Sequence, residues 1–266
     1  MDTNLMRTVR DLTVKVEAVS GKKVKLVEKR GLATPVSVKL ANENVPVHTF
    51  YIDRSQSAAL YHAIAHECVH ILRLYEAPPE KRIVPMSTSQ MRFAALKDIE
   101  PDLIKLRSEY AIEKVASMSH FWFNSIVRQL TNYPLDVAIE QWLYKFYPEI
   151  RPVQMDVLKK KLEDATGVLS DEVKALTPEK IYVASCTMHY AYFDILGRYL
   201  EIDLLGAFQN VQEAEEGRKL ASLTLDRKKD DYETDVEMIQ LWANFLGFEN
   251  WFAWTNVNAV TTDVAE

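Results

Sequence analysis

Cysteine is scarce in this chain of 266 residues. Cys68 and Cys186 are the two present, so the disulfide framework that staples small secreted domains is excluded, and the usage suits a reducing compartment. Positive charge is in deficit as well. The net charge is −6, from 32 Lys and Arg against 38 Asp and Glu, which disfavours a general nucleic-acid-binding surface. No uncharged apolar run reaches the roughly 18 residues that would span a bilayer. The longest apolar stretch, near residues 181–196, contains His189 and Asp194 and reads as a core helix. Residues 1–10 lack the apolar segment of a secretory signal. Internal repeats, low-complexity tracts and long linkers are missing too. What is left is an ordinary globular composition, 48% apolar and 26% charged, with length enough for a sizeable core. The expectation is a soluble cytoplasmic protein with no membrane association.

Histidine is also sparse, six in all, yet two of them stand four apart in His66-Glu67-Cys68-Val69-His70. On a helix that spacing puts both imidazoles on one face, where they can bind one metal ion at about 2.0–2.1 Å. Glu67 follows the first histidine and is rotated about 100° from it around the helix axis. The pattern is H-E-x-x-H: two zinc ligands and a carboxylate able to take a proton from water. Around it, Leu60, Tyr61, Ala63, Ile64, Ala65, Val69, Ile71 and Leu72 make the segment apolar in nearly every direction, as in a buried helix. An ionisable Glu67 is costly there unless it is paired or near a metal. His62, one turn before His66, reads as a partner in a structural hydrogen bond or as support for a ligand. Cys68 points off the ligand face and reads as packing.

Before this helix, residues 12–52 have a period of two. Val14 and Val16, Val24 and Leu26, Val36 and Val38, and Val45, Val47, Thr49 and Tyr51 alternate with other residues, separated by Ser20-Gly21, Gly31 and Asn42-Glu43-Asn44. The pattern predicts three or four strands in an antiparallel meander, with Pro46 marking an edge strand or a strand start. Ser55 or Asp53 is the expected helix cap, and Pro78-Pro79 the stop. Beyond residue 87 the period is helical, with helices expected near 88–98, 102–130, 134–146, 153–165, 178–200, 203–222 and 231–246. Pro101, Pro134, Pro152 and Pro178 sit where helices should begin. The aromatic end, with Trp242, Phe245, Phe248, Trp251, Phe252 and Trp254, reads as a last helix docking on the core. The fold class is therefore α+β: a small N-terminal antiparallel sheet packed on the H-E-x-x-H helix, then a mostly helical C-terminal half. We expect a core over residues 1–150 and a helical region over 151–266 packed on it.

The order Val47-His48-Thr49-Phe50-Tyr51-Ile52, a few polar residues, then the motif helix resembles the zincin metallopeptidases, most of all the IrrE/ImmA-like group of small intracellular bacterial peptidases. The resemblance covers about residues 45–75; Val69 stands where that group often has glycine. It implies a twisted sheet over the motif helix, an edge strand that could hold a peptide by strand addition, and a third zinc ligand, usually Glu, from a later helix.

A catalytic zinc takes three protein ligands and keeps one position for water. The best downstream stretch is Asn132-Tyr133-Pro134-Leu135-Asp136-Val137-Ala138-Ile139-Glu140. Asp136 and Glu140 share a face beside the apolar Leu135, Ile139, Trp142, Leu143 and Phe146. With Pro134 at the first helical position, Asp136 falls in the first turn, where an acid complements exposed N–H groups. Glu140 has no such explanation and is the favoured ligand. Asp136 is the alternative ligand, or supports a histidine from behind, and Glu113 is the next choice. His189 and Tyr190 could supply an oxyanion donor, against the plainer reading of a buried histidine satisfied by Asp194 or backbone. The expected activity is hydrolysis of a peptide bond in a protein or peptide substrate by a Zn2+-dependent protease, with Glu67 as general base. The competing expectation is a non-catalytic zinc-binding interaction module.

Overall fold

A computed structural model describes residues 3–227 and 229–259, the side chains of residues 56–58 excepted. The fold is α+β, as the periodicities predict. Its first element is nevertheless a helix, α1 (Thr3–Ser20), and not a strand. Val14 and Val16 do alternate, but the buried set is Leu5, Thr8, Val9, Leu12 and Val16, spaced for one helical face, and Val14 is 57% exposed. The longer register, begun at Leu5, outweighs a short alternation. Gly21 ends the helix with a positive φ of 66°, a conformation that costs glycine little.

Three strands follow: β1 (Lys23–Glu28), β2 (Val36–Lys39) and β3 (Val47–Ile52). Their order is β1-β3-β2, with β2 antiparallel and β1 parallel to β3. The sheet is thus mixed, and the expected antiparallel meander is corrected. The connection after β1 crosses β3, and Gly31 (φ 74°) turns it. There the Gly31 N–H donates to Asp53 Oδ2 at 2.9 Å. Pro46 precedes the central strand, so it marks a start and not an edge. Along β3 His48, Phe50 and Ile52 are buried, the alternate positions of one sheet face.

Next comes α2 (Ser57–Glu76), carrying the motif, and it lies against α1 and touches β2. After β4 (Ile83–Met86) the chain is helical: α3 (Ser89–Asp98), α4 (Glu100–Glu109), α5 (Ile112–Phe146), α6 (Arg151–Thr166), α7 (Asp171–Leu176), α8 (Glu179–Leu200), α9 (Ala214–Arg227) and α10 (Tyr232–Leu246), then β5 (Ala253–Asn256), which pairs with β4. The helices expected near 102–130 and 134–146 are regrouped. A break at Tyr110 ends α4, and α5 runs straight through Pro134. Leu130, Tyr133, Val137 and Ala138 around that proline are all buried; packing overrides the missing N–H of the ring. Asp136 is therefore a mid-helix residue, and its reading as a first-turn acid falls away.

Two compact units emerge: Met1–Val84 with Ile139–Leu158 and Thr255–Glu266, and Pro85–Ala138 with Lys159–Trp254. The division is not a single cut near residue 150, because α5 and α6 each contribute to both units. In the second unit the aromatic end is core: Trp242, Phe248 and Trp251 are buried. Trp242 Nε1 donates to Thr224 Oγ1 at 2.9 Å, and Trp251 Nε1 to Asp98 Oδ2 at 3.1 Å. Among the described residues, no helix is long and apolar enough to cross a membrane.

Helices α8 and α9 approach each other closely at Gly217. A Cβ there would lie 2.5 Å from Tyr190 Cβ and 2.6 Å from its Cγ. Gly217→Ala should lower stability by about 1–3 kcal/mol, the range for overpacking a filled site, read as a lower urea midpoint. An unchanged midpoint would show that α9 is free to shift.

Candidate metal centre

Asp53, not Ser55, caps the entry to α2. Its Oδ1 accepts from the Ser55 N–H at 3.0 Å and from the Ser55 hydroxyl at 2.7 Å. From there α2 buries Leu60, Ile64, Ala65, Cys68, Val69, Ile71 and Leu74. That burial fixes its rotation, and His62, His66 and His70 are left in one stripe, four residues apart.

The stripe is a connected chain of contacts. His66 and His70 face each other with Nε2 atoms 3.0 Å apart and ring centroids at 4.8 Å. Two nitrogens on one tetrahedral zinc would be separated by about 3.4 Å, given Zn–N bonds of about 2.0–2.1 Å. The other nitrogen of His66, Nδ1, lies 2.9 Å from Oε1 of Glu140, and His62 Nε2 lies 3.0 Å from Oε2. Gln154, from α6, donates its Nε2 to Glu140 Oε2 at 2.5 Å and to the Glu140 backbone carbonyl at 2.8 Å. Ligand atoms of His62, His66 and Glu140 all fall within 4.8 Å of one another. This buried group could hold a metal ion; two imidazoles and a carboxylate suit zinc and its first-row neighbours.

Glu140 is 3% exposed. Burial, the largest influence on its carboxyl, pushes the pKa up. The attraction and hydrogen bond of His62, then those of His66, outweigh it and hold the group below the usual carboxylate range. Glu67 is half-buried on the turn between the two motif histidines. Cys68 is fully buried, and burial pushes its thiol up to about 12, which suits packing and not redox chemistry.

The remaining candidates lie in the second unit. Asp136 is buried, one turn before Glu140 on α5, with Lys161 Nζ at 3.1 Å from Oδ2. Glu113 is an exposed first-turn acid of α5, where it complements the helix dipole. His189 is buried and satisfied: its Nδ1–H donates to the Ser185 carbonyl at 2.8 Å, and its Nε2 accepts from the Tyr133 hydroxyl at 3.0 Å. Backbone and Tyr133 serve it, while Asp194 is paired with Arg198 at 2.6 Å. Tyr190 is buried against Gly217. Gln154 is the residue that the sequence does not reveal. It sits in a charged helix 14 positions from Glu140, and no spacing rule links the two. His62 was within reach, at the same spacing from His66 as His70.

No protein-family model matches the chain, and no curated protein and no solved structure matches it significantly.

Two histidines away from the stripe make the fold acid-sensitive. Burial lowers both His48 and His189 from 6.5 to about 4. Above pH 6.5 both are neutral whether folded or unfolded. As pH falls from 6.5 to about 4 the unfolded chain takes up protons that the folded chain refuses, so stability drops; below that window the folded chain also binds them and this loss levels off. For His189 the full loss is about 3 kcal/mol. Urea midpoints measured from pH 8 to pH 4 should decline, and His189→Gln should flatten the decline by about one proton's worth. An identical slope in that variant would refute the assignment to His189.

Proposed function

We propose that the protein is a zinc-dependent peptidase that hydrolyses a peptide bond in a protein or peptide substrate. The observation that carries this reading is the convergence of His66 Nε2 and His70 Nε2 to 3.0 Å on the helix turn that also bears Glu67. His66 and His70 are the metal ligands. The third comes from α5, where Glu140 and Asp136 are the acids singled out. When bound, zinc supplies Lewis acidity, polarising the scissile carbonyl and lowering the pKa of water. Glu67 is the general base: its carboxylate takes a proton from the attacking water and delivers it to the leaving amine. Two free, buried cysteines favour the cytoplasm as the place of work.

A second reading, a non-catalytic metal-binding interaction module, has one observation in its favour. His62, His66 and Glu140 form a group held together from within, and a fourth protein ligand would close such a site and make it structural.

Freshly purified protein should contain about one zinc per chain by elemental analysis, and His66→Ala should lose it. No zinc, and none taken up on reconstitution, would end the metal reading. Glu67→Gln separates the two functions. It keeps the shape of the side chain and removes the base, so the variant should stay folded, keep its zinc, and cleave at least about a hundredfold more slowly. Candidate partner proteins incubated with each form, with fragments read by mass spectrometry, make the comparison. Equal cleavage by both forms, at equal zinc content, rules Glu67 out as the base.

A further inference from the structure

Glu140 meets two imidazoles with its two carboxyl oxygens; a carboxyl group is a stronger acid than an imidazolium, so the protons belong on nitrogen, and an ionised carboxylate only accepts hydrogen bonds. The nitrogens facing it must therefore carry protons. His66 donates from Nδ1 to Oε1 at 2.9 Å, and His62 donates from Nε2 to Oε2 at 3.0 Å. A neutral His66 protonated at Nδ1 has its lone pair on Nε2, the atom that faces His70 Nε2. The carboxylate thus selects which nitrogen of His66 is offered.

Gln154 supplies an independent observation. It is fully buried, and its amide nitrogen gives both hydrogen bonds to Glu140, one to the carboxylate and one to the backbone carbonyl. Its Oε1 is buried and finds no hydrogen-bond partner among the described residues. Leaving a buried acceptor unpaired is unfavourable. Turning the amide over would only bring that oxygen against the carboxylate and lose both donors. Gln154 is thus turned to donate toward Glu140, the orientation that an accepting carboxylate favours.

We infer that His62 and Gln154 are positioning residues: they hold the Glu140 carboxylate against His66 Nδ1, so that His66 presents the Nε2 lone pair to a metal shared with His70. The metal role rests on the peptidase reading, whereas the imidazole tautomer does not. A carboxylate behind a metal-binding histidine orients the ring and raises its basicity, and losing such support typically lowers metal affinity 10–100-fold. On the His66–His70 pair His62 acts through Glu140.

The test uses the full chain, metal-free and 15N-labelled, with imidazole nitrogen–proton correlation spectra recorded at pH 8. His66 should appear protonated at Nδ1 and bare at Nε2. In His62→Leu and Gln154→Leu the His66 tautomers should become mixed, and zinc affinity, measured by competition with a chelator, should fall about 10–100-fold. His62→Gln, whose amide can donate in place of Nε2–H, should bring affinity back to within about threefold of wild type. Wild-type His66 protonated at Nε2 overturns the inference. So do folded Leu variants that keep both the wild-type tautomer and the wild-type affinity. Should a Leu variant fail to fold by far-UV circular dichroism, the wild-type tautomer and His62→Gln still decide the matter. A wild-type chain that takes up no zinc defeats the peptidase reading alone, and the tautomers of wild type and variants remain to judge the relay.

Discussion

A carboxylate taken out of water loses several kcal/mol of solvation even after the protein has relaxed around it, and what it gains in return depends on every lone pair finding a donor. Glu140 meets that condition with donors from three directions: His62 and His66 on α2, and Gln154 on α6. Much of the first unit follows from this single requirement. The residues that satisfy it are 78, 74 and 14 positions away along the chain, so three segments are pinned at one point. Removing one donor is not a local loss, since it leaves a buried charge short of a partner. Tight geometry at the histidine stripe is thereby tied to the stability of the unit that carries it.

The same constraint fixes how α2 is turned. A slip of one residue would rotate the helix by about 100° and carry all three histidines away from α5. What prevents the slip is apolar: Ile64, Ala65, Cys68, Val69 and Ile71 are buried, with α1 and β2 against the helix. The hydrophobic faces choose the rotation, and the ionic contacts then work on a side chain array that is already aimed. Cys68 has its part in this as a small apolar group between the motif histidines, with a thiol held neutral by burial.

How much of this is legible in the sequence depends on the range over which each signal acts. The H-E-x-x-H pattern is local, so the sharing of a face by His66 and His70 follows from helix geometry alone. Glu140 could be singled out because nothing nearby explained an acid beside the apolar Ile139, Trp142 and Leu143. The sheet was readable as strands but not as an order: alternation reports which residues face in, and both a meander and the observed β1-β3-β2 arrangement satisfy it. Residues 12–19 misled because Val14 and Val16 alternate with other residues, while the helical register becomes visible only when Leu5, Thr8 and Val9 are counted with Leu12 and Val16. Pro134 misled because a proline's local penalty says nothing of the packing that can outweigh it. The link from Gln154 to Glu140 had no local signature at all, since it joins two helices that only the tertiary fold brings together.

Imidazole has two nitrogens, and that fact bears on the part Glu140 plays. The sequence favours Glu140 as a direct ligand beside His66 and His70. In the structure its Oε1 engages His66 at Nδ1, while the atom that His66 turns to His70 is Nε2. A carboxylate on one nitrogen and a metal on the other are compatible, and each strengthens the other, because the anion makes the ring a better donor of its lone pair. To become a ligand itself, Glu140 would have to give up that bond and leave the His62 and Gln154 donors facing a weakened acceptor in a buried place. The geometry therefore favours an orienting carboxylate over a liganding one.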